Sequence, residues 1–206
     1  MVLSDYDSSV FINCPFDEQY SILFEAVLFT IFICGFKPRC ALEHDDAGEQ
    51  RIEKINEIIN DCKYGFHDIS RTQLDLTNQL PRFNMPLELG LFLGCKRFST
   101  GRNKDKICII FDSVKYRYQK FISDISGQDI KTHNDDPKNI IKGLRKIFKT
   151  NHQELTIPGE KRIIEQFEKY LQNKPEILEK LELDAGDDLV YADHALIIQQ
   201  WLKFYS

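Results

Sequence analysis

The residues in this chain whose types could do chemistry are carboxylates, and two of them stand where a parallel sheet would present them. Glu88 lies early in a helical stretch between apolar Leu87 and Leu89, and Asp68 closes a β-like run before it. Each has a plain structural explanation. A glutamate in the first turns of a helix favours its positive end, and an aspartate after a strand bonds its own turn. Each also has a chemical one. Breaking an N-glycosidic bond builds an oxocarbenium-like cation on the sugar, and a carboxylate against that sugar can stabilise the cation, trap it covalently or hold its hydroxyls. Phe11, Phe16 or Phe92 would offer a base a stacking face, with packing in the core as the alternative for each.

Other chemistries lack their residues. There is no Gly-rich dinucleotide or P-loop fingerprint, no HExxH and no GxSxG. The six cysteines, at positions 14, 34, 40, 62, 95 and 108, are scattered through apolar runs without a CxxC pair or a zinc-like spacing. They read as buried thiols of a reducing compartment, and neither a metal nor a resident cofactor is expected. Of the five histidines only His67 reads as standing at a strand end, as a packing or hydrogen-bonding residue. The balance of 27 Lys+Arg against 32 Asp+Glu, net −5, gives no overall attraction for nucleic acid or anionic lipid. The interleaved basic and aromatic segment Lys115 to Lys120 reads as a pocket wall or a solvated helix start. The most apolar stretch, Ile22 to Cys34, is interrupted by Glu25 and closed by Gly35, short of the roughly 20 residues of a membrane span. With no signal-peptide pattern at its start, the chain is expected to be cytoplasmic.

The elements that must position these residues alternate in period. Ser9–Asn13, Lys37–Leu42, Tyr64–Ile69, Ile107–Phe111 and Gln128–Thr132 read as strands. Between them, helices are expected up to Cys34 (capped by Asp17 or Ser21), along the Ile52, Ile55, Ile58, Ile59 face, from Asn84 as N-cap with Pro86 in its first turn, over Tyr118–Ile125, and over Pro137–Lys149. Strands joined through helices imply crossovers and a parallel sheet. The fold class expected is α/β: a flavodoxin-like, doubly wound sheet of about five strands over residues 1–150, with a helical C-terminal extension over 151–206. Three helices are expected there, 159–172, 175–183 and 191–205, broken at Pro175 and at the acidic turn Ala185 to Asp188.

In such a sheet ligands bind beyond the carboxyl ends of the strands, at the switch in strand order. That rule selects Asn13 to Asp17, Glu43 to Gln50, His67 to Arg71, Asp112 to Arg117, and the helix entry Arg82 to Gly90. The stretch His67-Asp68-Ile69-Ser70-Arg71 followed by Asn84-Met85-Pro86-Leu87-Glu88-Leu89-Gly90 resembles the signature of the nucleoside 2-deoxyribosyltransferase-like and TIR-like superfamily of bacterial nucleotide-binding proteins. Val10 to Phe16 is similar to that superfamily's first strand and sugar-proximal loop, so the resemblance covers about residues 9–132. It implies that Glu88 is the catalytic carboxylate, that Asp68 contacts the sugar, and that the reaction is cleavage or transfer at the glycosidic bond of NAD or a nucleoside. Members of this size often act in antiphage defence, hydrolysing NAD or cyclising it into a signal for a partner effector.

The expectation is therefore an enzyme with NAD as substrate rather than cofactor, Glu88 as its catalytic residue, and Phe11, Asn13, Pro15, Phe16, Arg39, Arg51, Asp68, Ser70, Arg71 and Asn84 as substrate contacts. For each arginine a solvated surface role stands beside the phosphate-binding one. A deoxyribosyltransferase or hydrolase acting on nucleosides or nucleotides is the second reading, and a non-catalytic nucleotide-sensing module is the third. The expected partners are a small nucleotide, a downstream effector protein and further copies of the chain, with no membrane and no nucleic acid.

Overall fold

The computed structural model describes residues 3–43, 48, 50–72, 80–184 and 188–205. Five parallel strands, β1 (Ser9–Asn13), β2 (Lys37–Arg39), β3 (Tyr64–Asp68), β4 (Ile107–Asp112) and β5 (Lys131–Thr132), form one sheet in the order β2-β1-β3-β4-β5. This is the doubly wound α/β arrangement. After the one-turn helix α1 (Asp5–Ser8), the helices are α2 (Ser21–Ile33), α3 (Arg51–Asp61), α4 (Asn84–Phe98), α5 (Pro137–Asn151), α6 (Glu160–Lys180) and α7 (Tyr191–Tyr205). Among the described residues no helix is long and apolar enough to cross a membrane.

Alternation along the strands decides which side chain goes where. Val10, Ile12, Tyr64, Phe66, Ile109 and Phe111 enter a large core with α2, α5, α6 and α7. Phe11 and Cys108 face the opposite layer, where Ile55, Ile58 and Ile59 of α3 meet Phe92 of α4. Leu89 and Ile110 extend that layer towards Tyr118 and Ile125. Helix α2 is apolar nearly all round because it is enclosed on both sides, by the sheet and by the C-terminal helices. Its one buried acid, Glu25, is paired with Lys174 of α6. Gly35, at φ +83°, turns the chain out of α2 into β2, a conformation that L-residues with a Cβ avoid. On the far side of the molecule from the strands' carboxyl ends, the buried ammonium of Lys106 donates to the carbonyls of Ile59 (2.5 Å) and Cys62 and so closes α3.

Several boundaries differ from expectation. Helix α6 runs unbroken through Pro175, because Phe167 and Tyr170 before it and Ile177 and Leu178 after it are buried in one core. Pro175 itself is exposed, so the hydrogen bond it removes lies on the solvent side. The segment 118–125 forms two 3-10 turns, Arg117–Lys120 and Ser123–Ile125, that bury Tyr118 and Ile125 in place of a helix. Strand β2 ends at Arg39, and β5 starts only at Lys131, after Gly127 at φ +100°. The N-cap position of α4 is Phe83, which makes no side-chain cap bond, while Asn84 is the first helical residue. Ile52, expected on the buried face of α3, is 39% exposed. The acidic stretch after β2 and the Ala185–Asp187 turn fall largely outside the described residues.

Helices α6 and α7 share the sheet's core. Trp201 is 1% exposed and packs on Phe29 of α2, with ring centroids 5.4 Å apart. At the outer edge of the sheet the Tyr191 hydroxyl donates to the carbonyl of Pro38 in β2 at 2.8 Å.

Candidate active site

The strand order reverses between β1 and β3. The chain moves from β1 outward to β2, then crosses back to β3 on the other side. The crevice beyond the carboxyl ends of these two strands is where a doubly wound sheet binds ligands. Asn13 and His67 are register partners there, and Cys14 and Asp68 follow them. The pleat then divides the polar residues into two groups.

On the α3/α4 side, the Asn13 amide donates from Nδ2 to the carbonyl of Met85 (2.8 Å) and to Nδ1 of His67 (3.0 Å). His67 is wholly buried between the rings of Phe11 and Phe92. Burial pushes its pKa down to about 3, so the ring is neutral. Met85 lies one turn ahead of Glu88 in α4, which places the end of β1 beside the glutamate. Glu88 is 8% exposed, and no hydrogen bond reaches its carboxylate among the described residues. Burial raises its pKa from 4.5 to about 7, with the Arg51 guanidinium at the start of α3 pulling the other way. A carboxyl group in that state is both poorly solvated and half-ionised at neutral pH.

On the α2/α5 side, Asp68 is a keystone. Its Oδ2 accepts the Tyr20 hydroxyl at 2.7 Å, and its Oδ1 accepts the Ser70 backbone N–H at 2.8 Å. Nε2 of His133 lies 3.2 Å from Oδ2, without the alignment of a hydrogen bond. Because Nδ1 of His133 accepts the Asp135 N–H at 2.9 Å, Nε2 carries the ring proton of the neutral imidazole and faces the carboxylate. Tyr20, Asp68, Ser70 and His133 are all buried. Next to them Asp112, at the end of β4, binds the Arg117 guanidinium through Oδ1, at 2.7 Å from Nε. The same guanidinium reaches the Ile69 carbonyl and the Thr72 hydroxyl, which locks the loop after β3 to the loop after β4.

The structure brings together Asn13, Glu88 and, electrostatically, Arg51. The thiol of Cys14, held well above its ordinary pKa first by burial, feels the charges of both Asp68 and Glu88. Arg82 and Arg71 share Asp17 of the β1 loop at 3.0 and 3.8 Å. Phe16 is 43% exposed against the edge of Phe24, and Asn84 is exposed at the mouth of α4.

Other expected contacts are engaged elsewhere. Phe11 is enclosed in the α3/α4 core and presents no stacking face. The guanidinium of Arg39 is held by Glu43 at 2.7 Å. Pro15 and Ser70 are buried, and the Asp68 carboxylate is fully enclosed, with the Tyr20 hydroxyl and the Ser70 N–H as its hydrogen-bond partners. His67 is also not alone at a strand end: His133 directly follows β5. Sequence reasoning selected the Asp112 to Arg117 loop but not the pairing of its two ends, and it missed Tyr20 and His133. A two-residue strand has no readable period, and Tyr20 sits in a 3-10 turn whose signal, the Asp17 cap on its N–H at 3.1 Å, equally fits a helix start.

No family model matches this chain, and no curated protein or solved structure matches it either. The site is therefore read from its own geometry. Among the described residues no group of His, Cys, Asp and Glu is arranged to hold a metal ion.

Proposed function

We propose that this chain cleaves an N-glycosidic bond, with Glu88 as the carboxylate that meets the developing sugar cation and NAD as the favoured substrate. The observation that carries this reading is a buried carboxyl group, free of hydrogen bonds among the described residues, at the switch point of a doubly wound sheet. A carboxylate solvated by water or clamped by donors has its charge already stabilised. One held in a poorly polar pocket gains most when a cation forms against it. The resemblance of the Asn84–Gly90 stretch to the TIR-like and deoxyribosyltransferase-like signature supports the same residue.

The leaving group favours NAD over a neutral nucleoside. When the bond from C1′ to the pyridinium nitrogen breaks, its electron pair goes to that nitrogen and nicotinamide departs neutral, with no proton required. Water then adds to C1′ and loses its proton, giving ADP-ribose, or an internal nucleophile closes a ring. A purine leaving from a neutral nucleoside needs a proton donor. His67 is neutral down to about pH 3, and the buried Asp68 acts as an acceptor, so among the described residues at the ends of β1 and β3 and the start of α4, Glu88 would be left to donate. The two readings then demand opposite charge states of one residue. The positive nicotinamide ring would also hold Glu88 ionised on binding. Six free thiols suit a reducing, cytoplasmic setting.

The test is chromatography of NAD and a nucleoside panel incubated with the protein and with Glu88→Gln from pH 5.5 to 8.5. Nicotinamide release that rises through pH 7 and vanishes in Glu88→Gln supports the proposal. Free base from nucleosides with a rate falling through pH 7 supports the hydrolase or transferase. Turnover that survives Glu88→Gln overturns both.

A further inference from the structure

We infer that His67 is a positioning residue that locks the Asn13 amide, so that Asn13 Oδ1 accepts a hydrogen bond from the sugar and the site selects a ribosyl over a 2′-deoxyribosyl substrate. This rests on the reading of Glu88 just given and adds the class of sugar.

The argument begins with the Met85 carbonyl, which can only accept. The atom of Asn13 that meets it at 2.8 Å must be the amide nitrogen, and that fixes the orientation of the side chain. The second amide hydrogen goes to His67 Nδ1 at 3.0 Å, so this ring nitrogen is bare and Nε2 carries the proton. The ring cannot turn over to offer its other edge. Nε2 is sealed without a partner among the rings of Phe11 and Phe92, and a Cβ at Gly65 would lie 2.6 Å from it. A neutral imidazole with one tautomer and one orientation is a fixed acceptor.

Both Asn13 hydrogens are therefore held, and its oxygen is left over. Among the described residues no donor meets Oδ1, and Oδ1 is not one of the sealed, unpartnered atoms. Asn13 is the last residue of β1, opposite His67 of β3, where the strand order reverses. The amide is anchored at Met85, about 4.5 Å along the α4 axis from Glu88. An atom that can only accept, set beside the group that meets C1′, calls for a donor one bond away from that carbon. The 2′-hydroxyl is that donor, and a deoxyribose lacks it.

The experiment is calorimetric titration of Glu88→Gln protein with two ligand pairs: NAD and its analogue lacking the 2′-hydroxyl on the nicotinamide ribose, and adenosine and 2′-deoxyadenosine. Two further proteins carry His67→Phe, which suits the surrounding rings but removes the acceptor, and His67→Asn, whose carbonyl can take the place of Nδ1. The expected result is about tenfold tighter binding of the ribosyl member of at least one pair, the worth of one added hydrogen bond. It should fall to within twofold in His67→Phe and return in His67→Asn. A thermal melt of each variant shows that it is folded.

Turnover of NAD by the unsubstituted protein is measured alongside. Glu88-dependent turnover without a His67-dependent preference for the 2′-hydroxyl overturns this inference and leaves the proposed function standing. The preference without turnover overturns the proposed function alone. The absence of both overturns both.

Discussion

The Asp68 keystone makes a demanding prediction about Tyr20. Tyr20 is 1% exposed, and its hydroxyl donates at 2.7 Å to a carboxylate with no access to water. Tyr20→Phe keeps the ring and its packing and deletes only that donor. Oδ2 is then left with the poorly aligned His133 contact, and Oδ1 keeps the Ser70 N–H. Losing a hydrogen bond to a buried charged acceptor costs about 1.5–3 kcal/mol. For a chain of this length that lowers the melting temperature by roughly 4–10 °C. Urea denaturation of Tyr20→Phe, Asp68→Asn and the double variant completes a cycle, whose coupling is expected to be about 1.5 kcal/mol or more. If Tyr20→Phe costs less than about 0.5 kcal/mol while Asp68→Asn leaves stability unchanged and abolishes ligand binding, Asp68 faces the substrate and the keystone assignment is refuted.

Three further outcomes are expected. Glu88 has its folded pKa raised from 4.5 to about 7, so the folded state holds the extra proton in that window and stability falls as pH rises through it. Glu88→Gln removes this penalty and is expected to exceed the parent chain in stability at pH 8 by at most about 3 kcal/mol, with little difference at pH 4, as urea midpoints at the two pH values would show. Lys106→Met leaves the Ile59 and Cys62 carbonyls buried without their donor, and a loss of about 2 kcal/mol is expected in the same assay. Gly65→Ala places a methyl 2.5 Å from the Phe92 ring and is expected to destabilise by about 1–3 kcal/mol, read as a lowered melting temperature.

The architecture was legible because its signals are local and redundant. The β-branched and aromatic runs at Ser9–Asn13 and Ile107–Phe111, and the 3- and 4-residue spacing of Ile55, Ile58 and Ile59, each point to one element type. Pro175 misled because a helix-breaking residue acts locally, whereas α6 is held by buried side chains on both sides of it. The placement of Glu88 near the start of a helix after β3 was legible from the sequence. The enclosure of Phe11 and Asp68 was not, because the face on which a strand residue points depends on pairing register. Asp68 shares the pleat of Tyr64 and Phe66 and turns towards α2, while His67 turns towards α4. The partners of Asp68, at positions 20 and 133, are brought to it only by the sheet order.

The Tyr191–Pro38 contact has a consequence for how copies of this chain can meet. Strand β2 has three residues, one of them a proline without an N–H, and a helix hydroxyl already occupies that proline's carbonyl. At the opposite margin β5 has two residues. Neither flank offers a run of free backbone groups long enough to template an incoming strand. Among the described residues both margins of this sheet are therefore poor templates for cross-strand addition of the kind that seeds fibrils.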